Sequence, residues 1–213
     1  MAHLVWDWNG TLLNDLDLIV RCTNLAFASV GGPEVTADEH RRDFRRPVIA
    51  YYAAALGREL TDEEFADLDK VFHEAYRTQL ATVGLTTDAR EAIAAWPGTQ
   101  SLLSMWFHEE LLPAVTRHRL HEAFSRVDGL RDRSIGDHKA SHLAAHLRAL
   151  TVDPADAVLI GDSVDDADAA ASVGARCVLY SGGFTDPDRL RATGLPVADS
   201  LVEAVTLART EGR

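Results

Sequence analysis

The sequence predicts an α/β fold: a parallel sheet with helices on both faces, interrupted after its first strand by a block of helices. Three observations carry this. The runs His3-Leu4-Val5-Trp6, Ala157-Val158-Leu159-Ile160 and Arg176-Cys177-Val178-Leu179-Tyr180 are near-continuous apolar stretches, the pattern of strands buried on both faces. The alanine-rich stretch Asp166 to Val173, closed by Gly174, sits between the last two and gives the strand–helix alternation of a parallel sheet. Residues 12 to about 95, by contrast, read as almost wholly helical.

Taken in order, the first run ends at Asp7, and Gly10-Thr11 makes a tight turn before a helical pattern that runs from Leu12 to about Val30 and stops at Gly31-Gly32-Pro33. Thr36 with Glu39 and Thr61 with Glu64 have capping-box spacing, in which the threonine accepts from an orphan N–H and the glutamate returns the favour. Pro97-Gly98 breaks the helical block, Gln100 to Ser104 is a short strand candidate, and Leu111 to Phe124 reads as helix. Asp153-Pro154 is a cap and first-turn pair ahead of the Ala157 strand. The expected organisation is therefore a core of residues 1–14 and 96–213 and a helical insertion of residues 15–95, with joints near Leu13 to Asp17 and near Ala94 to Gly98.

Composition narrows the functional class. With 46% hydrophobic and 25% charged residues over 213 positions, the chain matches ordinary globular proteins and has length enough for a sizeable core. Its 21 lysines and arginines against 33 aspartates and glutamates give a formal charge of −12, which disfavours nucleic-acid and anionic-membrane partners. Small anionic substrates then need a local cation or a metal. No long apolar segment and no basic start followed by a hydrophobic run are present, so the expectation is a cytoplasmic protein, monomer or homodimer, acting on small molecules. Cys22 and Cys177, in apolar surroundings, read as buried thiols.

Open parallel sheets bind ligands beyond the carboxyl ends of their strands, and Asp7, Ser104 and Asp162 all fall there on this reading. The Asp7 carboxylate can ligate a divalent cation or attack phosphorus, beside a Gly-Thr turn whose N–H groups can approach a phosphoryl oxygen. Asp162, Asp165 and Asp166 put further carboxylates at a second strand end. Such a set of hard oxygen donors suits Mg²⁺, although a strand-end aspartate also serves as a helix cap.

These residues resemble a family. Val5-Trp6-Asp7-Trp8-Asn9-Gly10-Thr11-Leu12 is similar to the first motif of the haloacid-dehalogenase-like phosphohydrolases, Ser104 to the second, Lys139 to the third, and Gly161-Asp162-Ser163-Val164-Asp165-Asp166 to the fourth. The helical insertion between the first two motifs resembles the cap of the phosphoglycolate-phosphatase and beta-phosphoglucomutase branch. The resemblance implies a Rossmann-like core with an all-helical cap, and a Mg²⁺-dependent phosphatase of a small phosphorylated metabolite. It further implies that Asp7 attacks phosphorus to give an aspartyl-phosphate, that Asp7, the Asn9 main-chain carbonyl and Asp162 hold the cation with Asp166 orienting its waters, and that Ser104 and Lys139 bind the transferring group.

One position departs from the family pattern. Phosphatases of this family carry a second aspartate where this chain has Asn9, and an amide can neither protonate a leaving group nor activate water. The alternative implied is a catalytically attenuated, phospho-ligand-binding or regulatory protein. Two other groupings stand out. Arg41, Arg42, Arg45 and Arg46 surround Phe44, share helical faces at i,i+4 spacing, and are expected either to grip a second anionic group of the substrate, Arg45 foremost, or to form a solvated face. His138, His142 and His146 form an i,i+4,i+8 stripe that reads as solvent-facing.

Overall fold

The computed structural model describes residues 2–131 and 139–210. These divide into two compact units, one built from residues up to Leu13 and from Leu85 onward, the other from Asn14–Gly84.

The first unit holds a parallel six-stranded sheet of order β3-β2-β1-β4-β5-β6, with β1 His3–Trp6, β2 Gln100–Phe107, β3 Val127–Leu130, β4 Ala157–Gly161, β5 Arg176–Tyr180 and β6 Val197–Ala198. Every residue of β1 and β4 is buried, as their apolar runs require. Side chains alternate across the sheet, so Val5, Leu103, Leu159 and Leu179 share one face, where they pack with Leu143 and Leu147 of α7 (Lys139–Leu150) and Ala167 and Ala170 of α8 (Val164–Val173). The α8 helix begins in a capping box between Ser163 and Asp166. The remaining helices of this unit are α5 (Ala89–Ala95), α6 (His108–Arg117), α9 (Pro187–Arg191) and α10 (Leu201–Thr210).

The second unit is helical: α1 Leu16–Ala28, α2 Ala37–Asp43, α3 Val48–Leu56 and α4 Asp62–Gln79. Both expected capping boxes are present, Thr36 with Glu39 and Thr61 with Glu64. Its core gathers Phe27, Tyr51, Tyr52, Phe65 and Leu68, and the buried Asp15 carboxylate accepts from the Tyr76 hydroxyl at 2.7 Å. Cys22 and Cys177 are both buried and free of any disulfide.

Several boundaries differ from the sequence expectation. Residues 85–95, read as part of the insertion, lie in the sheet-bearing unit, because α5 packs on α10 and the Asp88 carboxylate accepts from the Val202 N–H at 3.0 Å. The first helix starts at Leu16 rather than Leu12, since residues 8–13 are used in a turn in which Leu13 N–H donates to Trp8 O at 2.8 Å. The second strand runs on through Ser104 to Phe107, and β3 and β6 carry no apolar run long enough to announce them. No helix of the described residues is long and apolar enough to cross a membrane.

Candidate active site

Asp7 follows the last residue of β1, and its N–H continues the ladder by donating to Ile160 O at 2.9 Å. The chain then turns sharply. Gly10 has φ +73°, and a Cβ there would lie 2.4 Å from Asp162 Oδ2, so the turn closes over that carboxylate only with glycine. Thr86 fixes the far side of the turn, its hydroxyl donating to Thr11 O at 2.6 Å and its N–H to Leu12 O at 2.9 Å.

Asp162 stands just past β4. Its Oδ1 accepts from the Thr11 hydroxyl at 3.0 Å and its Oδ2 from the Phe184 N–H at 2.6 Å. A Cβ on Gly183 would meet the Asp162 side chain at 2.2 Å, so the segment after β5 wraps this carboxylate by virtue of its glycine. The capping role weighed for Asp162 belongs instead to Ser163, whose N–H and hydroxyl both donate to Asp166 Oδ2, at 3.0 and 2.6 Å. Asp166 Oδ1 remains for Lys139, the first residue of α7, whose ammonium donates to both Asp166 and Asp7.

Ser104 lies inside β2, not at its end. Trp6 pairs with Leu102, however, so Ser104 is already beyond the end of β1, level with the residues that follow Asp7. Its hydroxyl donates to the Asn9 side-chain carbonyl at 3.2 Å and accepts from Trp106 N–H at 3.0 Å. The structure thus brings Asp7, Asp162, Asp166 and Lys139 into one cluster and joins Ser104 to Asn9 beside it.

Asp7, Asp162 and Asp166 each offer an oxygen, all within 4.8 Å of one another, and all three are buried. Burial, with the neighbouring Asp166 charge, pushes the Asp7 carboxyl up to about 7 although Lys139 opposes the shift. Asp162 is pushed well above the usual carboxylate range by burial and by the charges of Asp7 and Asp166. Burial alone would lower the Lys139 ammonium, but the Asp166 and Asp7 carboxylates override it and hold it protonated. Among the described residues, three buried carboxylates gather here and the Lys139 ammonium pairs with two of them, Asp7 and Asp166, a charge imbalance that a divalent cation on the all-oxygen donor set would relieve. The residues present fit a hard cation such as Mg²⁺.

The remaining expected groups lie elsewhere. Arg45 is in the helical unit, exposed, with its guanidinium on the carbonyl oxygens of Asp43 at 2.9 Å and Ala50 at 3.4 Å. Because α2 ends at Asp43, Arg45 and Arg46 do not share its helical face with Arg41 and Arg42, as the spacing had suggested. His138 lies outside the described residues. His146 is buried, contrary to the solvent-facing reading, because Asp128 and Ser101 partner its ring. The Phe184 N–H and Thr86 were missed; the only sequence signal for the former is the Gly182-Gly183 pair directly after an apolar strand.

Comparison with known proteins agrees with this geometry. The model of a family described as HAD-hydrolase-like matches residues 134–204, a span that includes Lys139, Asp162 and Asp166. A phosphoglycolate phosphatase of Caulobacter vibrioides is 29% identical over 196 residues, 87% of this chain and 81% of that protein. Among solved structures, a haloacid dehalogenase-like family hydrolase from Streptococcus pneumoniae superposes with a TM-score of 0.82 at 16% identity, covering 97% of this chain and 98% of the other. A HAD hydrolase of family IA, variant 3, from Entamoeba histolytica does so with a TM-score of 0.77 at 18% identity, covering 97% and 100%. The resemblance stated from the motifs is borne out: the chain has the haloacid-dehalogenase-like fold, and its C-terminal part carries that family's sequence pattern.

Proposed function

We propose that this protein is a Mg²⁺-dependent phosphatase of a small phosphorylated metabolite, working through an aspartyl-phosphate on Asp7. The observation that supports it best is the Lys139 ammonium set between Asp7 and Asp166, with Asp162 alongside, at the carboxyl ends of adjacent parallel strands. Mg²⁺, when bound, supplies the positive charge that lets a carboxylate approach a phosphate dianion. Asp7, Asp162, Asp166 and the Asn9 main-chain carbonyl are the groups to hold it.

In the first step an Asp7 carboxylate oxygen forms a bond to phosphorus as the bond to the leaving oxygen breaks, and that oxygen departs with the electron pair. Lys139 keeps a fixed positive charge beside the attacking carboxylate and the equatorial oxygens, while the Ser104 hydroxyl is placed to donate to one of them. In the second step a water oxygen forms a bond to phosphorus as the bond from phosphorus to the Asp7 oxygen breaks, so that the Asp7 carboxylate is regenerated and inorganic phosphate leaves with the water's protons shared between it and solvent. Arg45 is assigned to a second anionic group of the substrate, such as the carboxylate of 2-phosphoglycolate, the substrate class in the name of the Caulobacter relative. The same reading carries a cytoplasmic setting, a monomer or homodimer, and no nucleic-acid or membrane partner.

The test is phosphate release from 2-phosphoglycolate, sugar phosphates, nucleotides and acyl phosphates with and without Mg²⁺. Turnover that needs Mg²⁺ and disappears in Asp7→Asn supports the reading; no turnover of any ester overturns it. One observation favours a second reading, a phospho-ligand-binding protein of low turnover: the position after Trp8 is an amide, held by Ser104, that moves no proton. Tight binding of phosphate esters without release of phosphate would establish that alternative.

A further inference from the structure

On the face of the sheet that α7 covers, a continuous hydrogen-bonded chain of side chains runs toward the amino ends of the strands. Thr99 Oγ1 meets His3 Nδ1 at 2.8 Å, His3 Nε2 meets Ser101 Oγ at 2.7 Å, Ser101 Oγ meets His146 Nε2 at 2.8 Å, and His146 Nδ1 meets Asp128 Oδ2 at 2.7 Å. Arg126 closes the chain with Nε on Asp128. Ser101 is fully buried and the His146 ring is inaccessible, so this Ser–His–Asp arrangement offers no nucleophile to any substrate. Its directionality is strict nonetheless. Ser101 has one hydroxyl proton between two imidazole nitrogens, so it gives to one ring and receives from the other. With both rings neutral, the Asp128 carboxylate takes the His146 Nδ1–H, and the order follows: Thr99 to His3, His3 to Ser101, Ser101 to His146, His146 to Asp128. Every member is satisfied, which a buried polar network must be to be tolerated.

The position of this chain relative to the active site is what gives it a use. His3 and Asp7 lie on the same face of the β1 segment, with Val5 between them. Lys139 and His146 lie seven residues apart on α7, roughly 10 Å along its axis and close to the same side, with Leu143 between. The helix is therefore held by polar contacts at its first residue and again two turns on, with apolar packing at Leu143 between them and at Leu147 beyond. Apolar packing at Leu143 and Leu147 tolerates sliding and rotation far better than hydrogen bonds of 2.7 and 2.8 Å to two different strands.

We propose that His146 is a positioning residue for Lys139: by tying α7 to β2 through Ser101 and to β3 through Asp128, it sets the rotation and height of the helix that presents the Lys139 ammonium to Asp7. A rigid helix transmits a shift at one end to the other, and a displacement of about 1 Å at a reacting centre costs on the order of 10²-fold in rate. Only the kinetic part of this inference rests on the phosphatase reading. His146→Gln keeps an amide within reach of Ser101 but not of Asp128; Asp128→Asn keeps the shape and removes the carboxylate.

The experiment measures kcat and KM for p-nitrophenyl phosphate and acetyl phosphate with Mg²⁺, thermal stability, and the NMR resonance of the Lys139 ammonium, in the full chain. His146→Gln and Asp128→Asn are expected to lower kcat about tenfold or more with KM within about twofold, and to shift the Lys139 resonance. Leu147→Ala, which removes apolar packing from the same helix, is expected to lower the melting temperature at least as much while leaving kcat and that resonance near wild type. A kcat loss that follows melting temperature across all three variants, or wild-type kcat in folded His146→Gln, overturns the proposal. Should His146→Gln not fold, Asp128→Asn decides by the same readouts. If the wild type turns over no ester, the phosphatase reading fails, and the Lys139 resonance still judges the inference: unmoved in His146→Gln or Asp128→Asn, it is wrong.

Discussion

Ser104 donates its hydroxyl proton to the side-chain carbonyl of Asn9 across 3.2 Å. That bond commits the amide oxygen of Asn9 to β2. An NH₂ donates a hydrogen bond but surrenders no proton, so on the phosphatase reading Asn9 itself gives the leaving oxygen no acid help. Rates are expected to rise steeply with leaving-group acidity, acyl and aryl phosphates far ahead of alkyl ones. Asn9→Asp, which changes few atoms, is expected to raise turnover of alkyl phosphates by up to about 10²-fold, the scale of positioned acid catalysis. Flat leaving-group dependence in wild type, with no gain in Asn9→Asp, would assign proton transfer to another group.

Asp7→Asn removes the proposed nucleophile and also one of the carboxylates that crowd the cluster. Turnover is expected to vanish while the melting temperature of the metal-free protein holds or rises, because the buried charge lost is one that burial disfavours. Steady-state assays paired with calorimetry check both halves, and residual turnover near wild type would remove Asp7 from the chemistry.

The strands that carry the site were legible because a parallel strand buried on both faces has to be apolar throughout, as β1, β4 and β5 are. Asp7 and Asp162 were legible for a related reason: a carboxylate directly after such a run is a candidate for chemistry or capping, while Asp166 was drawn in as a further carboxylate at the same strand end and Lys139 only through the resemblance to the family's third motif. What stayed hidden depends on partners distant in sequence. Nothing near His146 in the chain says that Asp128 and Ser101 will satisfy its ring, so its helical spacing read as a surface stripe. The β3 strand, with Asp128 and Gly129 among its four residues, has no apolar run to find. Main-chain donors such as the Phe184 N–H leave no mark in side-chain patterns. The end of the helical insertion was misplaced because α5 is a helix like its predecessors, and only its packing on α10 assigns it to the sheet-bearing unit.

Asp162 and Asp166 differ in what else they hold. Both carboxylates have both oxygens engaged, but one Asp166 oxygen carries the Lys139 ammonium, whose positive charge opposes a cation there, whereas the Asp162 oxygens accept only from neutral donors, the Thr11 hydroxyl and the Phe184 N–H. Asp162→Ala is therefore expected to weaken Mg²⁺ binding more than Asp166→Ala. Asp166→Ala should in turn cost more stability, including about 1 kcal/mol for the lost cap. Metal titration by calorimetry and thermal melts of both variants test the ordering, and the reverse order of affinities would count against it.

The same carboxylates set the pH dependence of the metal-free protein. Asp7 has its pKa raised from 3.8 to about 7 in the folded state, and Asp162 is raised in the same direction. A raised acid binds more protons folded than unfolded between those values, so its contribution to stability is complete below the unfolded pKa and is lost as pH climbs through the folded one. These two carboxyls are therefore expected to lower the melting temperature of the metal-free protein as pH climbs from about 4 to 7, each ~1 kcal/mol lowering it by roughly 2–4 °C. On the proposed site Mg²⁺ would take the deprotonated cluster, so its stabilising effect should grow over that same interval, and the melting curves with and without metal should diverge as pH rises. The His3 imidazole works in the opposite sense. Burial, then the nearby His146, lower it from 6.5 to about 4, so its contribution is lost as pH falls through that range. Burial lowers the His40 imidazole to about 4 in the same way, and Asp162→Asn separates the two effects: it should remove part of the carboxyl contribution and blunt the response to Mg²⁺, while leaving the opposing contributions of His3 and His40 in place. Melting temperatures of metal-free wild type and Asp162→Asn that differ by the same amount at pH 4 and pH 7, or a Mg²⁺ effect as large at pH 5 as at pH 8, would show that the three carboxylates do not compete for charge as their burial and spacing require.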